Sequence, residues 1–132
     1  MATILVIEDN PANMKLAVFM LESAGYGVLS ATDAEAGLAL ARTDHPDLIL
    51  MDIQLPGMDG LTATTQLKRD ELTRAIPVIA LTALAMRGDE ARIRAAGCDG
   101  YVAKPMRYQE VLQTIAAQLA KAGDRGQESL RP

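Results

Sequence analysis

Residues 46–61, PDLILMDIQLPGMDGL, hold the clearest structural signal in the chain. Residues 48–51 (LILM) are all apolar, and Asp52 follows them directly. A short apolar run that does not alternate with polar residues predicts a strand covered on both faces, as in a parallel sheet between two layers of helices. This segment therefore predicts a buried strand that ends in a carboxylate.

Two similar runs, residues 4–7 (ILVI) and 78–81 (VIAL), predict two more buried strands, and residues 27–31 and 100–103 are weaker candidates. Helical patterns fill the gaps between them. Asn10 and Pro11 predict the start of a first helix that Gly25 ends, and Thr32 with Glu35 has capping-box spacing for a second helix. Further helices are predicted at residues 61–70 and 84–96, and a fifth is predicted to end at Gly123.

The predicted order is five repeats of a strand followed by a helix. Such alternation with short connections is typical of an α/β fold, in which a parallel sheet has helices on both faces. Residues 1–122 are predicted to form this single domain. Residues 123–132 (GDRGQESLRP) lack periodicity and are predicted to be a flexible tail.

Composition narrows the functional classes. The 132 residues carry a formal net charge of −4, which argues against a broad basic face for nucleic acid. The single cysteine, Cys98, excludes an internal disulfide framework and a cysteine zinc cluster. No apolar run approaches the length of a membrane span, and no secretory leader is visible, so we expect a cytoplasmic protein without membrane or nucleic-acid partners.

Ionisable or hydroxyl side chains follow four of the five predicted strands. Ligands of open parallel sheets bind beyond the carboxyl ends of the strands, so these side chains are expected to share one edge. In chain order they are Glu8 and Asp9, Asp52, Thr82, and Lys104.

This set of groups predicts a phosphate site that contains a metal ion. Three carboxylates would repel one another unless a cation lay between them, and an oxygen-rich cluster without sulfur suits Mg²⁺. Lys104 and Thr82 would bind phosphoryl oxygens, which leaves Asp52 as a nucleophile able to form an aspartyl phosphate.

Other interpretations fit the residues less well. A lone aspartate at a strand end is usually a helix cap, but here the combination carries the prediction. Aspartate-nucleophile phosphatases typically need a second aspartate where this chain has Gln54. A nucleotide or flavin binder would want glycines or hydroxyls in place of Glu8-Asp9-Asn10-Pro11, and no GxxxxGK or GxGxxG is present.

Four segments carry a resemblance to a known family: VIEDNPAN, PDLILMDIQLPGMDGL, PVIALTA and AAGCDGYVAKP. Over about residues 3–122 the chain resembles response regulator receiver domains. It is most similar to stand-alone DivK-type receivers and to the receivers of hybrid sensor kinases. The resemblance implies a flavodoxin-like (βα)5 fold with strand order 2-1-3-4-5.

The resemblance also implies roles for individual residues. Asp52 is expected to be the phospho-acceptor and a Mg²⁺ ligand, with Asp9 a direct ligand, Glu8 acting mostly through water, and Gln54 binding the metal by its backbone carbonyl. The remaining expected roles concern phosphate contact and switching: Thr82 as switch hydroxyl, Tyr101 as switch aromatic residue, Lys104 pairing with the phosphate, and Pro105 after a cis peptide bond.

The implied function is two-component signal transduction, including cell-cycle regulation. A sensor histidine kinase or a histidine phosphotransfer protein would supply the phosphoryl group, because His45, the only histidine, is interpreted as a solvated loop residue. The chain would accept and lose this group without being a dedicated enzyme. The surface of the fourth helix, fifth strand and fifth helix would then contact a downstream protein. The chain is expected to be a stand-alone, single-domain response regulator, and two alternatives stay open: a receiver from a longer hybrid kinase and a phosphorylation-independent binding module.

Overall fold

The structure, a computed structural model, describes the backbone of residues 1–83 and 87–130 and the side chains of residues 1–83 and 89–122. Strands and helices alternate along this part of the chain, as the sequence predicts. In order they are β1 (Thr3–Ile7), α1 (Pro11–Ser23), β2 (Gly27–Ala31), α2 (Ala34–Asp44), β3 (Leu48–Asp52), α3 (Gly60–Arg69), β4 (Val78–Thr82), α4 (Arg87–Ala95), β5 (Gly100–Ala103) and α5 (Tyr108–Leu130).

The strands form one parallel sheet in the order β2-β1-β3-β4-β5, which confirms the expected topology. β1 pairs with β2 on one side and with β3 on the other. The register places Ile7 opposite Met51, and Asp52 opposite Leu81. The residues that follow β1 and β3 therefore leave the sheet side by side.

Alternate residues of each central strand enter two separate cores. Leu5, Ile7, Ile49 and Met51 pack on the side that carries α2, α3 and α4. Their neighbours along the strands pack against α1 and α5 on the opposite face. Because helices cover both faces of the sheet, the apolar residues of these strands are buried, which explains the continuous apolar runs. Burial of one such aliphatic side chain contributes about 1.5–3 kcal/mol.

The predicted start of α1 is confirmed. The Oδ1 atom of Asn10 accepts hydrogen bonds from the backbone N–H groups of Ala12 at 2.9 Å and Asn13 at 3.1 Å, and Pro11 is the first helical residue. Gly25 follows the helix with a φ of +91°, a conformation in which glycine has no Cβ to strain.

Two predicted helix ends are wrong. The cap of α2 is Asp33 and not Thr32, because the Asp33 Oδ1 atom accepts the Ala36 N–H at 2.8 Å. Gly123 does not end α5, which continues to Leu130. A helical glycine costs about 1 kcal/mol relative to alanine, and the alanine, lysine, glutamine and glutamate residues around it favour the helix.

The other helix boundaries agree closely with the predictions. α3 begins one residue before the predicted start and α4 ends before Gly97, whose φ is +104°. The predicted start of α4 at residue 84 lies outside the described residues. The division into a domain and a flexible tail at residue 122 stays a prediction. Of the helices described, none is both long and apolar enough to cross a bilayer.

Candidate functional site

The carboxyl ends of β1, β3 and β5 bring four charged side chains together. The Lys104 Nζ atom lies 2.9 Å from Glu8 Oε1 and 3.1 Å from Asp52 Oδ2. One carboxylate oxygen from each of Glu8, Asp9 and Asp52 lies within 4.8 Å of the others. The acids share an edge because β1 and β3 are neighbours in the sheet, as the sequence predicts.

Backbone N–H groups hold two of the carboxylates in place. Asp52 Oδ1 accepts from the N–H of Gln54 at 2.9 Å, and Glu8 Oε2 accepts from the N–H of Asn10 at 3.2 Å. Glu8 is fully buried and Asp52 is 3% exposed, whereas Asp9 is exposed. The site therefore combines two buried, fixed carboxylates with one that reaches solvent.

The charges in this cluster are unequally stable. Burial and the neighbouring Glu8 raise the pKa of Asp52 to about 6, against the opposing contacts with the Gln54 N–H and Lys104. Burial acts to raise the pKa of Glu8 as well, but its interactions with Asp52 and Lys104 and the hydrogen bond from the Asn10 N–H outweigh burial and lower that pKa. Burial acts to lower the pKa of Lys104, and its two carboxylate partners raise it overall. Lys104 thus keeps its charge, and of the two buried acids Asp52 gains a proton more easily than Glu8.

The remaining predicted site residues lie at the same edge of the sheet or on the adjoining strand. Thr82 is the buried last residue of β4, and its carbonyl accepts the Lys104 N–H at 2.7 Å. Tyr101 is half-buried in β5 and packs against the α2–α3–α4 side of the core. The Lys104–Pro105 peptide bond is cis, as predicted. The metal-binding role of the Gln54 carbonyl stays a prediction.

The donor set fits a hard divalent cation. Every side-chain donor in the cluster of Glu8, Asp9 and Asp52 is a carboxylate oxygen, the ligand type that Mg²⁺ prefers. Glu8 Oε1 is buried and, apart from its ion pair with Lys104, has no hydrogen-bond partner among the described residues. An additional positive charge at this point would satisfy it.

Three contributions to the site were not predicted from the sequence, and the contact of the Gln54 N–H with Asp52 is one of them. Asn10 was predicted only as a helix cap, yet its N–H also fixes Glu8. Gly60, the first residue of α3, lies against the backbone of Asp52. The sequence offered one signal for Gly60, a glycine directly before the predicted helix start. Its contact with the Asp52 backbone depends on the path of the chain and could not be predicted.

His45 lies outside the site, in keeping with its interpretation as a solvated loop residue, and Cys98 lies outside it as well. His45 is exposed after α2 with a φ of +46°, before the amino end of β3. Cys98 is buried with its Sγ 3.8 Å from Thr64 Oγ1, and burial raises the pKa of its thiol.

A sequence profile of the response regulator receiver domain matches residues 4–116 of the chain. The chain belongs to this family. It is 48% identical over 120 residues to the polar-differentiation response regulator DivK of Brucella ovis, covering 91% of this chain and 98% of that relative. The corresponding protein of Brucella anthropi is 47% identical with the same coverage. The chain is thus a DivK-like receiver domain of two-component signalling.

Solved structures share the fold. The receiver domain of the sensor histidine kinase PA1611 from Pseudomonas aeruginosa, which has magnesium coordinated in its active-site cleft, is 37% identical with a TM-score of 0.84 over 90% of this chain and 98% of that one. A CheY-like receiver domain protein from Methanospirillum hungatei is 28% identical with a TM-score of 0.87, covering 95% of this chain and 98% of that one.

Proposed function

We propose that the chain accepts a phosphoryl group from a phosphohistidine of a partner protein onto Asp52, in the presence of Mg²⁺. The observation that carries this proposal is the arrangement around Asp52. Its carboxylate lies 3.1 Å from Lys104 Nζ and within 4.8 Å of carboxylate oxygens of Glu8 and Asp9. A buried acid with an ammonium group and a candidate cation site beside it is suited to receive a phosphoryl group.

In the transfer, one carboxylate oxygen of Asp52 forms a bond to phosphorus as the phosphorus–nitrogen bond to the imidazole breaks. The electron pair of that bond leaves with the imidazole nitrogen. Lys104 counters charge on the phosphoryl oxygens, because its Nζ atom already lies beside Asp52. Gln54 restrains the carboxylate during the transfer through its N–H contact with Oδ1.

The metal ion is proposed to be held by Asp9, Asp52 and the backbone carbonyl of Gln54, with Glu8 acting mostly through water. When bound, Mg²⁺ neutralises charge that would otherwise keep a phosphate donor from three carboxylates. The proposal is supported by the all-oxygen cluster and by the magnesium in the related kinase receiver.

Water then hydrolyses the acyl phosphate and restores Asp52. The chain accepts and loses its own phosphoryl group, and it thus serves as a phospho-acceptor and not as a dedicated enzyme. While the phosphoryl group is present, Thr82 contacts it through its hydroxyl and Tyr101 turns inward. Such a ligand biases two pre-existing conformations, and couplings of this kind are typically about 1–3 kcal/mol.

The partners proposed are a sensor histidine kinase or a histidine phosphotransfer protein upstream and another protein downstream. The downstream contact is proposed for the surface of α4, β5 and α5. Arg92 and Arg94 of α4 are exposed, Tyr101 of β5 is half-buried, and α4 packs against β5. A cytoplasmic location is part of this proposal.

Incubation with Mg²⁺ and acetyl phosphate tests the proposal. We expect intact-protein mass spectrometry to find one added phosphoryl group in the wild type and none in Asp52→Asn. Asp33→Asn is the matched control, since Asp33 caps α2 and its asparagine replacement retains that cap. An unlabelled wild type with a range of small donors, or labelling of Asp52→Asn at the wild-type level, would contradict the proposal.

A further inference from the structure

The first turn of α3 touches the backbone of the proposed phospho-acceptor. A Cβ atom built on Gly60 would lie 2.7 Å from the Cα of Ile53 and 2.9 Å from the carbonyl carbon of Asp52, and it would collide with the Asp52 carbonyl oxygen. Cβ atoms in proteins do not approach other atoms so closely. Because these neighbours are backbone atoms at the end of β3, they cannot rotate away as a side chain could.

Space, and not backbone conformation, is what requires glycine here. Gly60 is a helical residue and has no positive φ. Gly57, three residues earlier in the loop that precedes α3, is the opposite case: its φ is +73°, and a Cβ atom built on it would have nothing within 4 Å. Substitution of Gly60 therefore tests a steric effect, and substitution of Gly57 tests a conformational one.

One hydrogen bond ties the start of α3 to the residue that follows β3: the Gly60 N–H donates to the carbonyl of Ile53 at 3.1 Å. Within α3, the Thr64 hydroxyl donates to the carbonyl of Gly60 at 2.8 Å. Residues 53–59 thus leave β3 and return to it. The loop they form carries Gln54, whose N–H contacts Asp52 Oδ1.

We propose that Gly60 is a positioning residue for the phosphoryl-transfer site. Because it has no side chain, α3 rests directly on the Asp52–Ile53 peptide, and this contact fixes the Asp52 carboxylate and the Gln54 backbone relative to each other. The inference rests on the proposed function and deepens it. Gly60 contacts no phosphoryl group, yet it would control the position of the reacting carboxylate. Its specific signature is a change in Mg²⁺ affinity and transfer rate that exceeds what loss of stability alone would produce.

Gly60→Ala tests the inference in the full chain. We expect weaker Mg²⁺ binding by isothermal titration calorimetry. We also expect the rate of phosphorylation by acetyl phosphate, measured at saturating Mg²⁺ on folded protein, to fall roughly 10–100-fold, because a displacement near 1 Å has effects of that size on positioned reactions.

Two alanine variants serve as controls. Gly37→Ala places a Cβ 2.7 Å from Cγ1 of Ile7 in the core, and Gly57→Ala strains the same loop without a contact. Both are expected to lower stability while keeping Mg²⁺ affinity and rate near those of the wild type.

Wild-type Mg²⁺ affinity and rate in Gly60→Ala would overturn the inference, as would an equal loss in Gly37→Ala. If Gly60→Ala does not fold, Thr64→Val replaces it, since loss of the hydroxyl bond to the Gly60 carbonyl weakens the first turn of α3; a wild-type rate and Mg²⁺ affinity in that variant overturn the inference. Absence of phosphorylation in the wild type would instead contradict the proposed function itself.

Discussion

Asp52 is the residue whose charge is least compatible with its surroundings. It is almost fully buried beside a second buried carboxylate, Glu8, and one lysine lies between them. The raised pKa, about 6 compared with 3.8 for an ordinary aspartate, reflects that crowding. Without a metal ion, the ionised form of Asp52 therefore opposes folding at neutral pH.

Asp52→Asn is expected to raise the free energy of unfolding of the metal-free protein at pH 7.5 by about 1–3 kcal/mol. One pKa unit corresponds to about 1.4 kcal/mol, and asparagine keeps the shape of the side chain while removing its charge. Urea denaturation with a chelator measures the change. Asp33→Asn is the control, and an equal or lower stability of Asp52→Asn would contradict the crowding of the carboxylates.

The advantage of Asp52→Asn should depend on pH in a defined direction. Since the pKa of Asp52 is raised in the folded state, the folded wild type binds more protons than the unfolded chain between pH 3.8 and about 6. The wild type therefore recovers stability as the pH falls through about 6, and the difference between the proteins disappears below pH 3.8. A difference that grows on acidification would contradict this assignment.

The acids and the lysine of the site could be predicted from the sequence because each directly follows a strand signal. The contacts of the Asn10 and Gln54 N–H groups with carboxylates could not be predicted, since the geometry of the turns orients these backbone groups. The pKa of Asp52 could not be predicted either, because it depends on the separation and burial of side chains from different strands.

At the scale of elements, α3 is also anchored at its far end. The Lys68 Nζ atom donates to the carbonyl of Ile76 and to Asp99 Oδ2, each at 2.9 Å. The same carboxylate oxygen accepts the N–H of Val78, the first residue of β4, at 2.9 Å. One lysine and one aspartate thus join the end of α3 to the starts of β4 and β5.

Lys68→Met is expected to lower the free energy of unfolding by about 1–3 kcal/mol, because it leaves partly buried acceptors without their donor. Phosphorylation of Asp52 should stay close to the wild-type level, since these contacts lie at the amino ends of β4 and β5. Urea denaturation and acetyl phosphate labelling measure the two effects. Unchanged stability would show that the two contacts of Lys68 contribute little.

Element boundaries were predictable only where one signal stood alone. Asn10 with Pro11 gave the start of α1, but Thr32 and Asp33 are adjacent capping residues and only side-chain geometry selects Asp33. Gly123 is a typical helix end by sequence, yet α5 continues through it and through Gly126, because a helical glycine costs only about 1 kcal/mol and most of the neighbouring residues are good helix formers.

At the scale of the whole molecule, Mg²⁺ binding should be visible as stability. A ligand that binds only the folded state adds about 2.7 kcal/mol at a concentration one hundred times its Kd. We expect Mg²⁺ to raise the Tm of the wild type and to have a much smaller effect on Asp9→Asn. Scanning calorimetry across a Mg²⁺ titration measures the change in Tm, and KCl at equal ionic strength is the control. An equal increase in both proteins would contradict the role of Asp9.

The α/β class followed from the apolar runs, because only strands covered on both faces lack alternation. The order of the strands did not follow from those runs, which are equally apolar in β1, β3 and β4. It came from the resemblance to receiver domains, and the sheet confirms it.

The position of β1 inside the sheet has a consequence for synthesis on the ribosome. β1 is synthesised before β3, and one of its two hydrogen-bonding edges is completed only by β3, which ends at Asp52. Until then Ile4 and its neighbours can find only half of their final pairing. A nascent chain that stalls before this point would present an apolar strand edge to chaperones or to other unfinished chains.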